Sequence, residues 1–363
     1  MMLRRGHAIP ITAMVLLLAG ACGGDDGPGV CRFKSIAARV AETYGVSPDG
    51  GVWAWGSGPG RDDGALVQVR YSDAIVAVTS RTFLHACEEH VNGTRICWPS
   101  TTNRTGSVDL SSAAKVSMSL GYSICILGQD GTVACRPENE EGPGVPPLDH
   151  FRAIDGLGGG VVAVALGSPA ILATEAMEQG CAIKQDHSLW CWGVGILGDG
   201  MPVRETRSPP IEIEALRGMV EGVAMGESST CVVMAGGTVA CWGPIVDPSA
   251  PALVPVGVPI DARVVEISMG DGHACALTDE GHVWCWGNND NLQTGAVDPA
   301  DIGPHQVRLP GPTAEVRAGY SHSCARRDDA SVRCWGDNRS GQLGDVRDTR
   351  AASSDPVTVV GCP

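Results

Sequence analysis

The sequence predicts an all-β fold made of repeated β-hairpins, and three observations carry that prediction. Cysteines recur in six pairs with nine residues between partners: Cys87/Cys97, Cys125/Cys135, Cys181/Cys191, Cys231/Cys241, Cys275/Cys285 and Cys324/Cys334. A turn-forming position recurs midway, held by Gly50, Gly93, Gly131, Gly237 and Gly281 in five repeats and by His187 and Ala330 in two. All nine tryptophans (53, 55, 98, 190, 192, 242, 284, 286, 335) flank the second cysteine position. A period of about 40 to 55 residues marks an array of supersecondary units.

Each cysteine pair brackets a hairpin with a three-residue loop, such as Asp279-Glu280-Gly281, whose last residue takes the left-handed conformation that glycine adopts without strain. Counting outward, Leu277 faces Val283, Ala276 faces Trp284 and Cys275 faces Cys285 at a non-hydrogen-bonded site. Opposed residues there have Cα atoms ~4.5–5.5 Å apart, which a disulfide can span. One cross-strand disulfide per hairpin is therefore expected. Strand alternation puts the cysteines on one sheet face and Trp284 and Trp286 on the other. Both faces are apolar, so both are to be covered, with the tryptophans as packing layers between neighbouring sheets. A seventh copy of the unit, Tyr44 through Gly56, has Tyr44 and Ala54 where the cysteines would stand.

Gly319-Tyr-Ser-His322, followed by Cys334-Trp-Gly336-Asp-Asn-Arg-Ser-Gly341-Gln-Leu-Gly344, resembles the regulator of chromosome condensation repeat. That resemblance implies a seven-bladed β-propeller of four-stranded antiparallel blades, which matches the seven copies counted. It further implies a ring closed by pairing of the N- and C-terminal strands, with one blade built from both chain ends. Asp355–Cys362 would supply the start of that blade and Phe33–Val40 its continuation, bringing Cys31 and Cys362 together as a closing disulfide. Cross-linking so long a loop removes unfolded-state entropy worth ~5 kcal/mol in the chain-entropy picture. Middle repeats depart from the pattern: Cys135 is followed by Arg136 rather than tryptophan, and Gly226-Glu-Ser-Ser229 lacks the histidine. His273 and His322, recurring at the repeat period, are read as structural.

Fifteen cysteines leave one outlier, Cys22. Residues 1–21 read as a signal peptide of the lipoprotein type: Arg4 and Arg5, an apolar run too short to span a membrane, then Ala19-Gly20-Ala21 before Cys22. Cys22 is the expected lipidation site, residues 22–30 a flexible linker, and 31–363 a single propeller domain. Export to the bacterial cell envelope, with attachment through the lipid alone, agrees with disulfide use. Zinc is disfavoured because structural sites use two to four intervening residues, not nine. Removing residues 1–21, which carry two arginines and no acid, takes the net charge from −15 to −17. A surface that acidic repels phosphate backbones, so no nucleic-acid partner is expected.

No His-Glu-x-x-His, Gly-x-Ser-x-Gly or phosphate-cradling loop is present, so neither a catalytic set nor a cofactor or metal is predicted. Departures from the period are the candidate binding loops. They are the acidic Pro-rich stretch with Glu138, Glu140 and Glu141, the long stretch before Cys181 with Glu175 and Glu178, the run Asn288, Asn289, Asp290, Asn291, and the run Asp337, Asn338, Arg339. The reading is a monomeric binding scaffold for a protein or glycan partner, with enzyme inhibition as one form. The alternatives are a carbohydrate-active enzyme with channel carboxylates ~5–10 Å apart, and a purely structural envelope protein.

Overall fold

A three-residue turn fixes the register of each hairpin, and the rest of the blade follows from it. The computed structural model describes residues 29–56, 65–72, 74–80, 85–99, 108–118, 124–135, 151–167, 179–345 and 351–362. The third turn residue is left-handed in every repeat: φ is 77° to 93° at the five glycines, 62° at His187 and 68° at Ala330. The two non-glycine residues hold that conformation against a steric cost of about 1–2 kcal/mol. In the sixth repeat the Thr278 N–H donates to the His282 carbonyl (2.9 Å) and the Gly281 N–H to the Thr278 carbonyl (3.0 Å). The register then runs Leu277 with Val283, Ala276 with Trp284 and Cys275 with Cys285, as expected from the sequence.

The same pairing places all six cysteine pairs directly opposite one another, and Tyr44 opposite Ala54. The paired Cα atoms are 3.9–4.1 Å apart, closer than expected, with the sulfurs at bonding distance.

Flanking strands complete seven antiparallel four-stranded sheets, each contiguous in sequence. Their first strands are Ser35–Ala38, Ile75–Ser80, Ala113–Met118, Val161–Gly167, Val220–Met225, Val264–Met269 and Thr313–Ala318, which begin blades 1 to 7 and pack side by side around the axis. No blade mixes the chain ends, which corrects the expectation of a shared blade. The fourth strand, for example Ala252–Val258, pairs with the third strand just before it and so finishes its own sheet instead of starting the next. The ends meet differently: isolated bridges join Val30 to Val360 and Arg32 to Ser331, and the Cys31 N–H donates to the Val359 carbonyl (3.1 Å). Cys31 and Cys362 have Cα atoms 5.5 Å apart, with their sulfurs at bonding distance.

Every junction between consecutive blades holds an apolar cluster among the described residues, and most share one design. The tryptophan after the second cysteine packs backward onto the cysteine pair of the preceding blade. Trp192 meets Cys125 and Cys135, Trp242 meets Cys181 and Cys191, Trp286 meets Cys231 and Cys241, Trp335 meets Cys275 and Cys285, and Trp55 meets Cys324 and Cys334. The tryptophans before the second cysteine behave otherwise. Trp190 and Trp284 are only half-buried, Lys184 lies over the Trp190 ring at 4.1 Å, and the Trp53 indole donates to Ser47 Oγ (3.3 Å). The expectation of tryptophan packing layers between sheets therefore holds fully for one of the two positions and in part for the other, where Trp53 and Trp190 join the same junction clusters. The Trp98 side chain lies outside the described residues.

Blade 1, which has no cysteine pair, is held by polar groups instead. Buried Tyr44 donates its hydroxyl to Glu42 Oε2 (2.9 Å), and Arg39 donates to both Glu42 (2.6 Å) and the Tyr44 oxygen (3.2 Å). Burial and the Glu42 charge push the phenol up to about 12, so it stays a donor.

Candidate binding face

Antiparallel blades have two unlike ends. At one end lie the hairpin turns between second and third strands, together with the links to the next blade. The other end carries the connections from first to second strand and from third to fourth. Three hairpin-turn carboxylates close their own turns: Asp130 accepts from the Thr132 N–H and hydroxyl (3.0 and 2.7 Å), Asp186 from Ser188 (3.1 and 2.6 Å) and Asp329 from Ser331 (2.9 and 2.6 Å). These bonds hold Asp130 and Asp186 below the usual carboxylate range.

At the opposite end the first turns of consecutive blades touch around the axis. A Cβ on Gly226 would stand 2.7 Å from the Asp271 carbonyl, and one on Gly270 or Gly319 would collide with the carbonyl of Gly319 or Arg39. Only a residue without a side chain lets the turns close up this way. A backbone chain follows, in which the Glu227 N–H donates to the Asp271 carbonyl (3.1 Å), Asp271 to Tyr320 (3.4 Å) and Tyr320 to Arg39 (3.0 Å).

The two histidines belong to the same construction. His273 and His322 are fully buried; Nε2 of His273 bonds Ser323 Oγ (2.9 Å) and Nε2 of His322 bonds Thr43 Oγ1 (2.9 Å), each on the next blade. Burial pulls His322 down to about 4, with the Asp337 charge opposing, so the ring is neutral at pH 7. They are blade-to-blade struts, as read from the sequence.

Beside those struts, consecutive turns bring Glu227, Asp271 and Tyr320 together. Glu227 is pushed up to about 8 by burial first and by the adjacent Asp271 carboxyl next. Tyr320 is raised by the Asp271 charge, burial and Glu227. Like charges held close cannot both ionise cheaply, so Glu227 stays largely protonated at neutral pH.

The predicted loops of blades 6 and 7 surround this mouth, with a division of labour the sequence did not reveal. Asn289 and Asn338 are 1% and 2% exposed. The Asn289 amide donates to the carbonyls of Ala296 (3.1 Å) and Asp298 (2.9 Å) and accepts from the Thr294 N–H (3.0 Å), while the Asn338 carbonyl accepts from the Leu343 N–H (3.2 Å). Their assignment as contact residues is corrected: they shape loops from inside. Asn288 and Asp290 are exposed. Arg339 pairs with largely buried Asp337 (2.9 Å) and reaches Asn291 Oδ1 (3.1 Å), tying the blade 7 loop to that of blade 6. Cys22, Glu138, Glu140, Glu141, Glu175 and Glu178 lie outside the described residues. Among the described residues no helix is long and apolar enough to cross a membrane.

Glu227, Asp271 and Tyr320 were missed from the sequence, although a signal existed. All three follow the glycine of the Gly-x-x-His position, where the repeat varies, and one position in successive repeats becomes one ring in space.

A comparison with curated protein sequences finds no match. Profiles described as "Regulator of chromosome condensation (RCC1) repeat" match residues 264–293 and 314–342, and residues 280–326. Among solved structures the chain is similar to Prp20p of Saccharomyces cerevisiae, at 17% identity and a TM-score of 0.52 over 89% of this chain and 76% of that one. It is similar to human WBSCR16, at 18% and 0.52 over 90% and 81%. The ectodomain of the Physcomitrella patens receptor kinase CR4 is alike at 17% and 0.52 over 83% and 72%. These likenesses agree with the blade architecture: the chain carries regulator of chromosome condensation repeats within residues 264–342, and its sheets form a seven-bladed β-propeller.

Proposed function

We propose that this chain is an exported, monomeric protein-binding scaffold, anchored by a lipid on Cys22 after removal of residues 1–21, with residues 22–30 as tether and 31–363 as the propeller. The hairpin cysteine pairs and Cys31/Cys362 act in it as disulfide staples. The observation that carries this reading is convergence on one end. All four departures from the repeat connect a first to a second strand or a third to a fourth, and so does the turn of Glu227, Asp271 and Tyr320. At the far end Asp130, Asp186 and Asp329 are bonded within their own turns. Prp20p, described with its binding properties to Gsp1p and histones, is a precedent for a propeller of this kind that binds proteins. The partner here is a protein with a basic surface, since the mouth and its rim are acidic, and inhibition of an enzyme is one outcome such binding could have.

The test compares two charge-reversed variants of the oxidised mature domain as baits for envelope and extracellular material. Asn288→Lys with Asp290→Lys and Arg339→Glu is expected to lose the captured partner, while Asp279→Lys with Glu280→Lys at the far end retains it. The opposite pattern would move the site to the hairpin-turn end. Fatty-acid labelling that survives Cys22→Ser would remove the anchor.

A further inference from the structure

Backward packing of tryptophan onto a preceding cysteine pair is seen at five junctions; blade 1 has no pair to be covered, and at the junction of blades 2 and 3 the pair is present but the tryptophan is not. The chain has Arg136 where the other cysteine-bearing blades have tryptophan, so blade 3 has none to offer to Cys87 and Cys97 of blade 2. Ile124 and Phe151 fill part of that place. Ile124 stands at a position held elsewhere by Thr43, Ala86, Gly180, Thr230, Ala274 or Ser323, so a larger side chain stands in for the absent indole.

The substitution is incomplete. A groove of about 360 Å³ remains between the two blades, lined by Cys87, Glu88, Glu89 and Arg95 on one side and by Lys115 and Val116 on the other. Among the hairpin cysteines Cys87 is the most exposed at 5%, ahead of Cys135 at 3%, while all eight in blades 4 to 7 are at 0%; outside the hairpins Cys362 is at 8%. Thiol–disulfide exchange needs an approach path to one sulfur, so access separates labile bridges from inert ones. Arg95 is engaged by Glu89 (2.8 Å) and Glu88 by Arg70 (2.7 Å), while Lys115 is exposed, so the groove offers a cation to an incoming thiolate.

We propose that Cys87–Cys97 is a thiol-exchange site, the hairpin bridge that a small-molecule thiol enters and opens while the other five stay closed. The proposal rests on the reading of the hairpin cysteines as disulfides. In the first step a thiolate attacks Cys87 Sγ, the Cys87–Cys97 bond breaks, and its electron pair leaves on Cys97 Sγ, which is then protonated by solvent. The product is a mixed disulfide on Cys87. A second thiol displaces it, forming the disulfide of the small thiol and a free Cys87, so two electrons pass from two thiols to one cystine. The groove size favours a small thiol over a folded partner.

The experiment exposes the oxidised full-length mature chain to limiting reduced glutathione, blocks new thiols with an alkylating reagent and maps them by peptide. Cys87 and Cys97 are expected to label about tenfold faster than any cysteine of the hairpins in blades 4 to 7. Arg136→Trp, which supplies the missing cover, is expected to slow that labelling several-fold and leave the Cys31/Cys362 rate unchanged. Labelling of another hairpin pair first, or equal rates for all, would overturn the proposal. Cysteines that alkylate before any glutathione is added would instead overturn the disulfide reading beneath it, which makes the two failures distinguishable.

Discussion

His322 gives the sharpest test of the blade-to-blade struts. Its ring is fully buried, packs over Gly319 and bonds Thr43 Oγ1 on the next blade. A histidine that titrates near 6.5 when unfolded and near 4 when folded prefers the unfolded state as it gains a proton. Its contribution is therefore complete above pH 6.5 and is lost as pH falls through 4. At 1.36 kcal/mol per pKa unit the loss is about 3 kcal/mol across that window. Carboxylates titrate over the same range, so the measurement is a difference: urea unfolding of the wild type and of His322→Gln at several pH values from 7 to 4. Glutamine is the natural choice, because Gln179 holds the equivalent place in blade 4, buried and donating to the Ile196 carbonyl (2.8 Å). The variant should lose roughly 1–3 kcal/mol at pH 7 through the void over Gly319. By pH 4 the gap to wild type should shrink by about 3 kcal/mol, since the variant has no imidazole to protonate. Parallel pH profiles for the two proteins would refute a neutral buried strut.

Glu227→Gln should remove a pH dependence on the alkaline side: a carboxyl raised to about 8 stabilises the fold fully below its ordinary 4.5 and loses that effect as pH rises through 8. Thermal unfolding of wild type but not variant should therefore weaken between pH 6 and 9, and identical profiles would count against the raised Glu227 carboxyl. Replacing Cys31 and Cys362 together by alanine should cost ~5 kcal/mol in the chain-entropy picture, against ~2–3 kcal/mol for one ten-residue hairpin pair, as read from urea midpoints. A closure variant no weaker than a hairpin variant would show that the ends do not clamp the ring.

How much was legible depended on whether a feature was local in the chain. The turn at Gly281, the Cys275/Cys285 register and the seventh copy at Tyr44/Ala54 each follow from a few neighbouring residues. Strand alternation and turn chemistry act at that range. The ownership of Ala252–Val258 was not local. Its pattern fits either the end of blade 5 or the start of blade 6, and pairing with Val239–Gly243 decides it. Asn289 and Asn338 were misread for a related reason: runs of asparagine and aspartate look solvated, yet both amides turn inward to bond loop backbone. Glu227, Asp271 and Tyr320 are about 45–50 residues apart in the chain, and only ring geometry makes them neighbours.

The repeat thus sorts its positions by radius. Recurring ones, cysteine, tryptophan, histidine and glycine, fill the junctions between blades, where each tryptophan depends on the bridge behind it and each histidine on the hydroxyl ahead of it. The junctions from blade 4 round to blade 1 keep tryptophan over a cysteine pair, and those on either side of blade 7 also have the histidine strut; they hold the acidic mouth and its rim in one rigid arc. The junction of blades 2 and 3 lacks the tryptophan. Opening Cys87–Cys97 would loosen a hairpin across the ring from Glu227 and Asp271, so exchange there should leave binding at the mouth unchanged. Cleavage of Cys31–Cys362, which lies at the hairpin-turn end of the seam between blades 7 and 1, should weaken it by loosening the seam that the Tyr320–Arg39 bond also spans. Partner capture after each selective reduction separates the two, and equal loss in both would mean that the ring responds as one body.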